Sequence, residues 1–330
     1  NKKGLAWTNI SFICVCLSMQ LLVTYIQNKK KGKRAVASEM LIVVSLLKPA
    51  FDALRVAQGN VHVDGALVDP NTELTATKGI EIFAEAIPSS ILQMYALLSD
   101  NELKGSAVTS IAISALAIAY SSSTISIDWD TSPTSRSDAP NFYGYVGDTN
   151  RSQIMILMVL ITASHVLLKV MACALMLRLS NIWFALYVVG DMGVYFIFKI
   201  LRGDLRYWLR LDGALSWIAS FLMRFIIKVI VDFTLLIQFR HPFELGGAYW
   251  SMNTGLNHLF CFASVFLYKQ HLNDVISDNK NHRVDSESYE GDSNDVSPRC
   301  NPEDESTYNV DFICEESELE LILWSLVFGL

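Results

Sequence analysis

Apolar segments long enough to cross a bilayer constrain this chain more than any other feature of its sequence. A transmembrane helix needs about 20 such residues, and several segments approach or meet that length: residues 5–26, 182–201, 214–239 and 248–268. Tryptophans lie near the ends of these segments, as they do in the aromatic belts of membrane proteins. Apolar residues make up 52% of the chain, which is high for a soluble domain. The sequence therefore predicts an all-α protein, a polytopic transmembrane helical bundle.

Residues 77–98 form a further apolar segment, and this one carries a polar stripe. At roughly 100° per residue, positions 78, 81, 85, 89 and 93 fall within about a third of the helix circumference. The stripe includes the carboxylates Glu81 and Glu85 and the amide of Gln93. A charge at the bilayer centre costs roughly 2.5–3.5 kcal/mol on insertion scales, so the stripe must face protein or water rather than lipid.

Residues 40–57 are a second segment that carries charges, namely Lys48, Asp52 and Arg55. Its apolar side chains contribute roughly −3 to −5 kcal/mol to insertion, whereas Lys48 and Asp52 near its centre cost about +5 to +7 kcal/mol. A lone lipid-facing span is therefore unfavourable. Because Lys48 and Asp52 are four residues apart, we expect a structural ion pair within a segment that packs inside the bundle or enters the membrane obliquely.

Five more charged residues lie inside apolar segments: Lys169, Asp191, Arg224, Lys228 and Asp232. Together with Glu81, Glu85 and Gln93 they form either a polar track through the membrane or a buried ion-pair network that orients helices. The sequence leaves both interpretations open. Small residues also recur at helical spacing in the segment 107–127 and just before it, and they predict a face for close helix packing: Ser106, Ser110, Ser114, Ala117 and Ser121.

Basic residues between the apolar segments predict the topology. Residues 28–34 contain five Lys or Arg and are expected to be cytoplasmic by the positive-inside rule. The basic loop 199–210 is cytoplasmic too if one of the segments 40–57 and 77–98 enters the membrane and returns. We favour 77–98 because Pro88 interrupts it, which gives about seven spans plus one or two re-entrant or Pro-kinked segments. Residues 61–73 have acidic side chains but no Lys or Arg and are expected to form an extracytoplasmic loop.

Charge separates the end of the chain from its membrane part. Residues 271–320 hold 15 Asp or Glu and 3 Lys or Arg, so the net charge of −7 comes from this tail. We expect a transmembrane helical domain over residues 1–270 and an acidic, disordered, cytoplasmic tail over residues 271–318. Residues 319–330 are a short apolar segment, either docked on the bundle or the start of a truncated element, and we take the chain as a fragment.

Two motifs follow one another in the membrane part. They are Lys48-Pro49-x-x-Asp52-x-x-Arg55 and Glu85-x-x-Pro88-x-x-x-Leu92-Gln93-x-Tyr95. Their order, ahead of the Ser- and Ala-rich helix, resembles the XK-related family of phospholipid scramblases. The resemblance runs over residues 5–270 and is closest over 78–126. The glutamine that usually follows the family's proline is Ser89 here.

The resemblance implies passive, energy-independent exchange of phospholipids between leaflets. It also implies that both chain ends are cytoplasmic and that two segments are re-entrant. Membrane phospholipids are then the binding partners, and we expect the plasma membrane as the location. Lipid exchange needs no covalent chemistry, so we expect no catalytic residue.

Two other functions are compatible with the sequence. One is a non-enzymatic membrane scaffold that docks a cytosolic or membrane protein partner, such as a lipid-transfer protein, through the basic loops and the acidic tail. The other is an ion-coupled transporter, which predicts internal repeats that the sequence lacks. Because His165, His241 and His258 have no second ligand at metal spacing, we expect no metal site and no cofactor. No motif predicts nucleic-acid binding.

Overall fold

The computed structural model describes residues 2–58, 70–99, 105–138, 140, 143–203, 214–234 and 246–287, and all regular secondary structure in them is helical. In chain order the α-helices are α1 Lys2–Asn28, α2 Lys33–Val44, α3 Lys48–Ala57, α4 Pro70–Glu81, α5 Ile87–Ser99, α6 Gly105–Thr131, α7 Pro133–Asp138, α8 Arg151–Leu179, α9 Asn181–Arg202, α10 Ala214–Phe233 and α11 Gly246–Glu287. A π-helical segment, Ile82–Ala86, joins α4 to α5, and 3-10 turns lie at Lys29–Lys31 and Asp148–Asn150.

Five helical stretches in the described part of the chain are long and apolar enough to cross a membrane. They are Lys3–Lys31, Thr72–Ser99, Gly105–Thr131, Arg151–Leu179 and Asn181–Arg202. They correspond to α1, the continuous α4–α5 helix, α6, α8 and α9. This arrangement fits a multi-pass integral membrane protein.

Residues 77–98 lie within one uninterrupted helix, so the helix break at Pro88 on which the re-entrant expectation was based is absent. The reason is the π-helical segment that ends just before Pro88. The Ile87 N–H donates to the carbonyl of Ile82, five residues back, instead of the usual four. The wider turn accommodates the proline ring and its missing N–H, so the helix continues past Pro88 without a break.

Residues 40–57 are the segment that breaks. Helix α2 ends at Val44, α3 begins at Lys48, and Leu46 between them adopts a φ of 63°, which is uncommon for a residue other than glycine. The α2–α3 segment buries Lys48 and Asp52 and exposes a set of large apolar side chains: Leu41, Val44, Leu46, Leu47, Phe51 and Leu54. Its charges therefore face protein, and its apolar side chains face outward.

Helix α1 and the α4–α5 helix run antiparallel. Near the C-terminal end of α1, Gln27 donates to Glu73 in the first turn of α4 (3.4 Å), and near its other end Asn9 accepts from Ser89 of α5 (2.8 Å). The chain between α1 and α4 thus leaves and returns at the same end of α1. Glu73 lies in a helix and not in the loop expected over residues 61–73.

The following helices also alternate in direction. Gln93 of α5 accepts from Ser110 of α6, and Asp128 near the end of α6 pairs with Arg151 at the start of α8 (3.6 Å). Helix α8 lies at the centre of the bundle, where it packs on α5, α6, α9, α10 and α11. Residues 170–176 of α8 are all buried, which is typical of a helix enclosed on every side.

Helix α11 continues to Glu287, past the boundary expected at residue 270. The start of the acidic segment is therefore helical, although disorder was expected from its composition. A helix that is already formed in the bundle extends at little cost because nucleation, the unfavourable step, has been completed. Residues 204–213, which include most of the basic loop, the remainder of the tail and residues 319–330 lie outside the described residues.

Candidate functional site

A cluster of charged side chains occupies the interior between α8, α9, α10 and α11. Lys228 of α10 bridges two carboxylates, with its Nζ 2.9 Å from Asp191 of α9 and 2.5 Å from Asp232 one turn along α10. Asn253 of α11 donates to the Asp232 carboxylate at 3.0 Å. We call these four residues, together with Lys169 and its partners, the interior cluster.

Lys169 of α8 extends the interior cluster toward α9 and α11. Its Nζ donates to the hydroxyl of Tyr187 and, at 2.5 Å, to the side-chain oxygen of Asn257. His165, one turn earlier, contacts the backbone carbonyl of Asp232 through Nε2 at 2.9 Å. Side chains or backbone from four helices therefore meet in one polar network.

The interior cluster is largely closed to its surroundings, and Asp191 at its edge is partly accessible, with 22% of its side chain exposed. Lys228 is 0% exposed, Lys169 2% and Asp232 4%. Arg224, one turn before Lys228 on the same helix face, is also fully buried. Breaking a buried ion pair by removing one partner costs about 3–5 kcal/mol, so this network holds its four helices in one register.

The polar stripe of the α4–α5 helix, which we define as Lys78, Glu81, Glu85, Ser89 and Gln93, lies between α1 and α6. Ser89 Oγ donates to Asn9 of α1 at 2.8 Å, and Gln93 Nε2 donates to Ser89 Oγ at 3.2 Å. Ser110 of α6 donates to Gln93 at 3.3 Å. Hydrogen bonds thus fix the C-terminal half of the stripe to both neighbouring helices.

The other half of the stripe carries the charges. Glu85 lies close to the thiol of Cys16 on α1, and Lys78 is near enough to Asp128 of α6 for their charges to interact. Asp128 in turn pairs with Arg151 at 3.6 Å. The charged half of the stripe therefore begins among cations and continues past two carboxylates.

The charged half of the stripe remains partly accessible. Glu81 is exposed and Glu85 is half-buried. The opposite face of the helix packs inward, where Phe83 meets Phe225 edge to face at 5.9 Å. On the α6 side the predicted small-residue face is not fully packed, because Ser106, Ser110 and Ala117 are exposed. We call this space between α1 and α6 the stripe groove.

A third network joins the α2–α3 segment to its neighbours. Lys48 Nζ contacts Asp52 at 2.8 Å, Glu73 of α4 at 2.5 Å and Glu39 of α2 at 3.2 Å. Arg55 binds Glu39 through both guanidinium nitrogens and lies 3.4 Å from Asp52. We call these five residues the hairpin network. It links α2, α3 and α4, and Gln27 extends it to α1.

The candidate residues from the sequence thus fall into three separate places. Glu81, Glu85 and Gln93 lie on the stripe. The interior holds Lys169, Asp191, Arg224, Lys228 and Asp232, and the α2–α3 segment holds Lys48, Asp52 and Arg55. Within the described residues, no hydrogen bond or ion pair connects the stripe to the interior cluster.

Several polar partners were missed by the sequence analysis: Asn9, Glu39, Glu73, Tyr187, Asn253 and Asn257. Asn253 and Asn257 are four residues apart in an apolar segment, and that spacing was a usable signal for a polar helix face. Glu39 and Glu73 gave no such signal, because they lie on helices other than that of Lys48. In the part of the chain that the structure describes, no group of three or more His, Cys, Asp or Glu side chains could hold a metal ion.

Comparison of the chain with family models, curated proteins and solved structures finds no match in any of the three. The function must therefore be inferred from the arrangement of these residues.

Proposed function

We propose that this protein passively exchanges phospholipids between the two leaflets of a membrane and that headgroups travel along the stripe groove. The observation that supports the proposal is a polar stripe on a candidate spanning helix, flanked by two further candidate spans and partly open along its charged half. The same activity is what the resemblance to the XK-related family implies.

The chemistry of the groove suits a zwitterionic headgroup. Lys78 and Arg151 offer cations to a phosphate, and Glu81 and Glu85 offer carboxylates to an amine. A headgroup needs a polar path through about 30 Å of hydrocarbon, whereas its acyl chains can remain in the lipid. A groove that is open on one side meets both needs, and no energy source is required.

We infer the membrane sides from the basic residues after α1. With Lys29–Lys31 in the cytoplasm, the antiparallel order of helices brings the end of α9, with Lys199 and Arg202, to the cytoplasmic side as well. This agrees with the positive-inside rule and makes the α2–α3 segment the re-entrant element. Crossing by α10 and α11 gives seven spans and a cytoplasmic tail.

A liposome assay tests the proposal. Purified protein is reconstituted with fluorescent phosphatidylcholine or phosphatidylethanolamine in both leaflets, and a membrane-impermeant quencher reports the accessible fraction over time. We expect loss of fluorescence beyond the outer-leaflet half with the parent protein. The variant Glu81→Gln/Glu85→Gln should exchange lipid at least ten times more slowly, whereas Glu39→Gln, a single Glu→Gln change outside the groove, should retain the parent rate.

The outcomes separate the candidate functions. Equal rates for the two variants would exclude the groove as the path. No exchange by any form of the protein would reject lipid scrambling and favour the scaffold, for which retention of a cytosolic protein by the immobilised full chain is the positive result.

A further inference from the structure

A basic cavity lies where α1 joins α2, apart from the stripe groove and the interior cluster. It is open to its surroundings on one side and has a volume of about 430 Å³, within the range of small-ligand pockets. Its lining residues are Tyr25, Lys29, Lys33, Val36, Ala37 and Met40.

The turn between the helices creates this cavity. Gly32 adopts a φ of 96°, a conformation that residues with a side chain rarely adopt, and the chain reverses there so that α2 packs back on α1. Lys29 lies just before the reversal and Lys33 just after it, which brings two cations to one cavity. Both side chains are exposed, and neither pairs with a carboxylate in the residues that the structure describes.

The walls of the cavity are apolar, and the surface beside it is apolar too. Val36, Ala37 and Met40 form one wall on α2. Leu22 and Ile26 of α1 are 60% and 51% exposed. Two cations at one end of an apolar surface match an amphipathic anion better than a small soluble ion.

We propose that this cavity binds an anionic phospholipid through a phosphomonoester on its headgroup. Such a phosphate carries about −1.5 to −2 charges at neutral pH, so it can engage the ammonium groups of Lys29 and Lys33 together, whereas a carboxylate carries a single charge. The Tyr25 hydroxyl can donate a further hydrogen bond, and the acyl chains lie against the apolar side chains of α1 and α2. Bound lipid ties α2 to α1 at the base of the α2–α3 segment. This inference does not depend on scrambling activity.

Binding to the detergent-solubilised full chain tests the proposal by fluorescence anisotropy. The probe is fluorescent short-chain phosphatidylinositol bisphosphate, and the competitors are short-chain phosphatidylserine, free inositol trisphosphate and inorganic phosphate. Two variants remove the same charge from the same turn. Lys29→Gln/Lys33→Gln alters the cavity, and Lys30→Gln/Lys31→Gln alters only residues outside its lining.

We expect the cavity variant to bind roughly thirtyfold more weakly, at about 1 kcal/mol per lysine, and the control variant to bind within about threefold of the parent. Tyr25→Phe should weaken binding less than the cavity variant does. It provides a second test of the site if the cavity variant is unstable. Equal loss in both double variants would overturn the site in favour of a diffuse basic surface. Competition by phosphatidylserine at equal concentration would show that a phosphomonoester is not required. Equal affinity for free inositol trisphosphate would show that the ligand need not be a lipid.

Discussion

The interior cluster and the polar stripe use the same kinds of side chain in opposite settings. Lys228 and Asp232 are sealed between helices and bound to each other, whereas Glu81 is exposed and makes no hydrogen bond or ion pair within the described residues. Sealed charges that satisfy one another hold helices together. Charges that remain accessible can meet a ligand. In an apolar bundle, the exposure of a charged side chain, rather than its residue type, therefore distinguishes a structural charge from a candidate functional one.

The hairpin network is intermediate between these two regions. Lys48 and Asp52 are each 1% exposed, but Arg55 and Glu39 at its edge are partly accessible. Side-chain exposure therefore varies within this one network, and the same comparison can be tested there.

The largest effect on stability is expected from the interior cluster. Lys228→Met leaves Asp191 and Asp232 without their shared cation, so we expect a loss of about 3–5 kcal/mol. The thermal midpoint of the purified protein in detergent measures the effect, with the exposed Lys30→Met as the control. Equal midpoints for the two variants would show that the cluster is not structural.

A somewhat smaller loss is expected from the hairpin network. Lys48→Met leaves Glu39, Asp52 and Glu73 facing one another, but Arg55 still neutralises part of their charge, so we expect roughly 3 kcal/mol. Amide hydrogen exchange should rise mainly in residues 33–57, while α8 stays protected. Uniform exchange across the bundle would contradict a local role.

A stripe-groove variant should change transport and leave stability nearly intact. Ser114→Leu adds bulk to α6 one turn from Ser110, so we expect lipid exchange several times slower and a stability change below about 1 kcal/mol. Thr109→Leu adds similar bulk on the exposed surface of α6 and is the control. Equal slowing by both variants would place the lipid path elsewhere.

The smallest effect is a pH dependence at the edge of the hairpin network. Burial raises the pKa of Glu39, but the hydrogen bond from Arg55 and the charge of Lys48 outweigh burial and hold the pKa below the ordinary value of 4.5. Glu39 therefore contributes stability above pH 4.5, and this contribution is lost as the pH falls through the lowered pKa.

The thermal midpoints of the parent and Glu39→Gln measure that contribution. They should differ at pH 7 and converge on acidification, and a constant difference across the range would contradict the assignment. Burial raises the pKa of Asp52, so its titration opposes that of Glu39. Because Lys48 and Arg55 contact both carboxylates, the difference between the two curves reports Glu39 together with its coupling to Asp52.

Helical spacing in the sequence predicts which charged residues pair within one helix, but it does not predict contacts between helices. The Lys48–Asp52 and Lys228–Asp232 pairs are both four residues apart, and both are present in the structure. Spacing also placed the stripe on one face of its helix. It could not assign that face to the space between α1 and α6, because which helices become neighbours depends on packing far along the chain.

The positions at which helices break or continue were harder to predict than the ion pairs within one helix. A proline inside a helix normally breaks it, and no pattern in the sequence predicts the π-helical segment that accommodates Pro88. The break over residues 40–57 occurs instead near Leu46, which has no turn-forming character of its own. The local signal is Pro49, which lies in the first turn of α3, where its missing N–H costs no helical hydrogen bond.

The contact between Lys48 and Glu73 also has a consequence for biogenesis. Lys48 and Asp52 emerge from the ribosome before Glu73, and inserting them alone costs about 5–7 kcal/mol. In the proposed topology, the α2–α3 segment would therefore wait at the membrane surface until the following helix has been delivered. Its entry would then be a late step, after the spans on either side of it, and the order of assembly would depart from the order of synthesis.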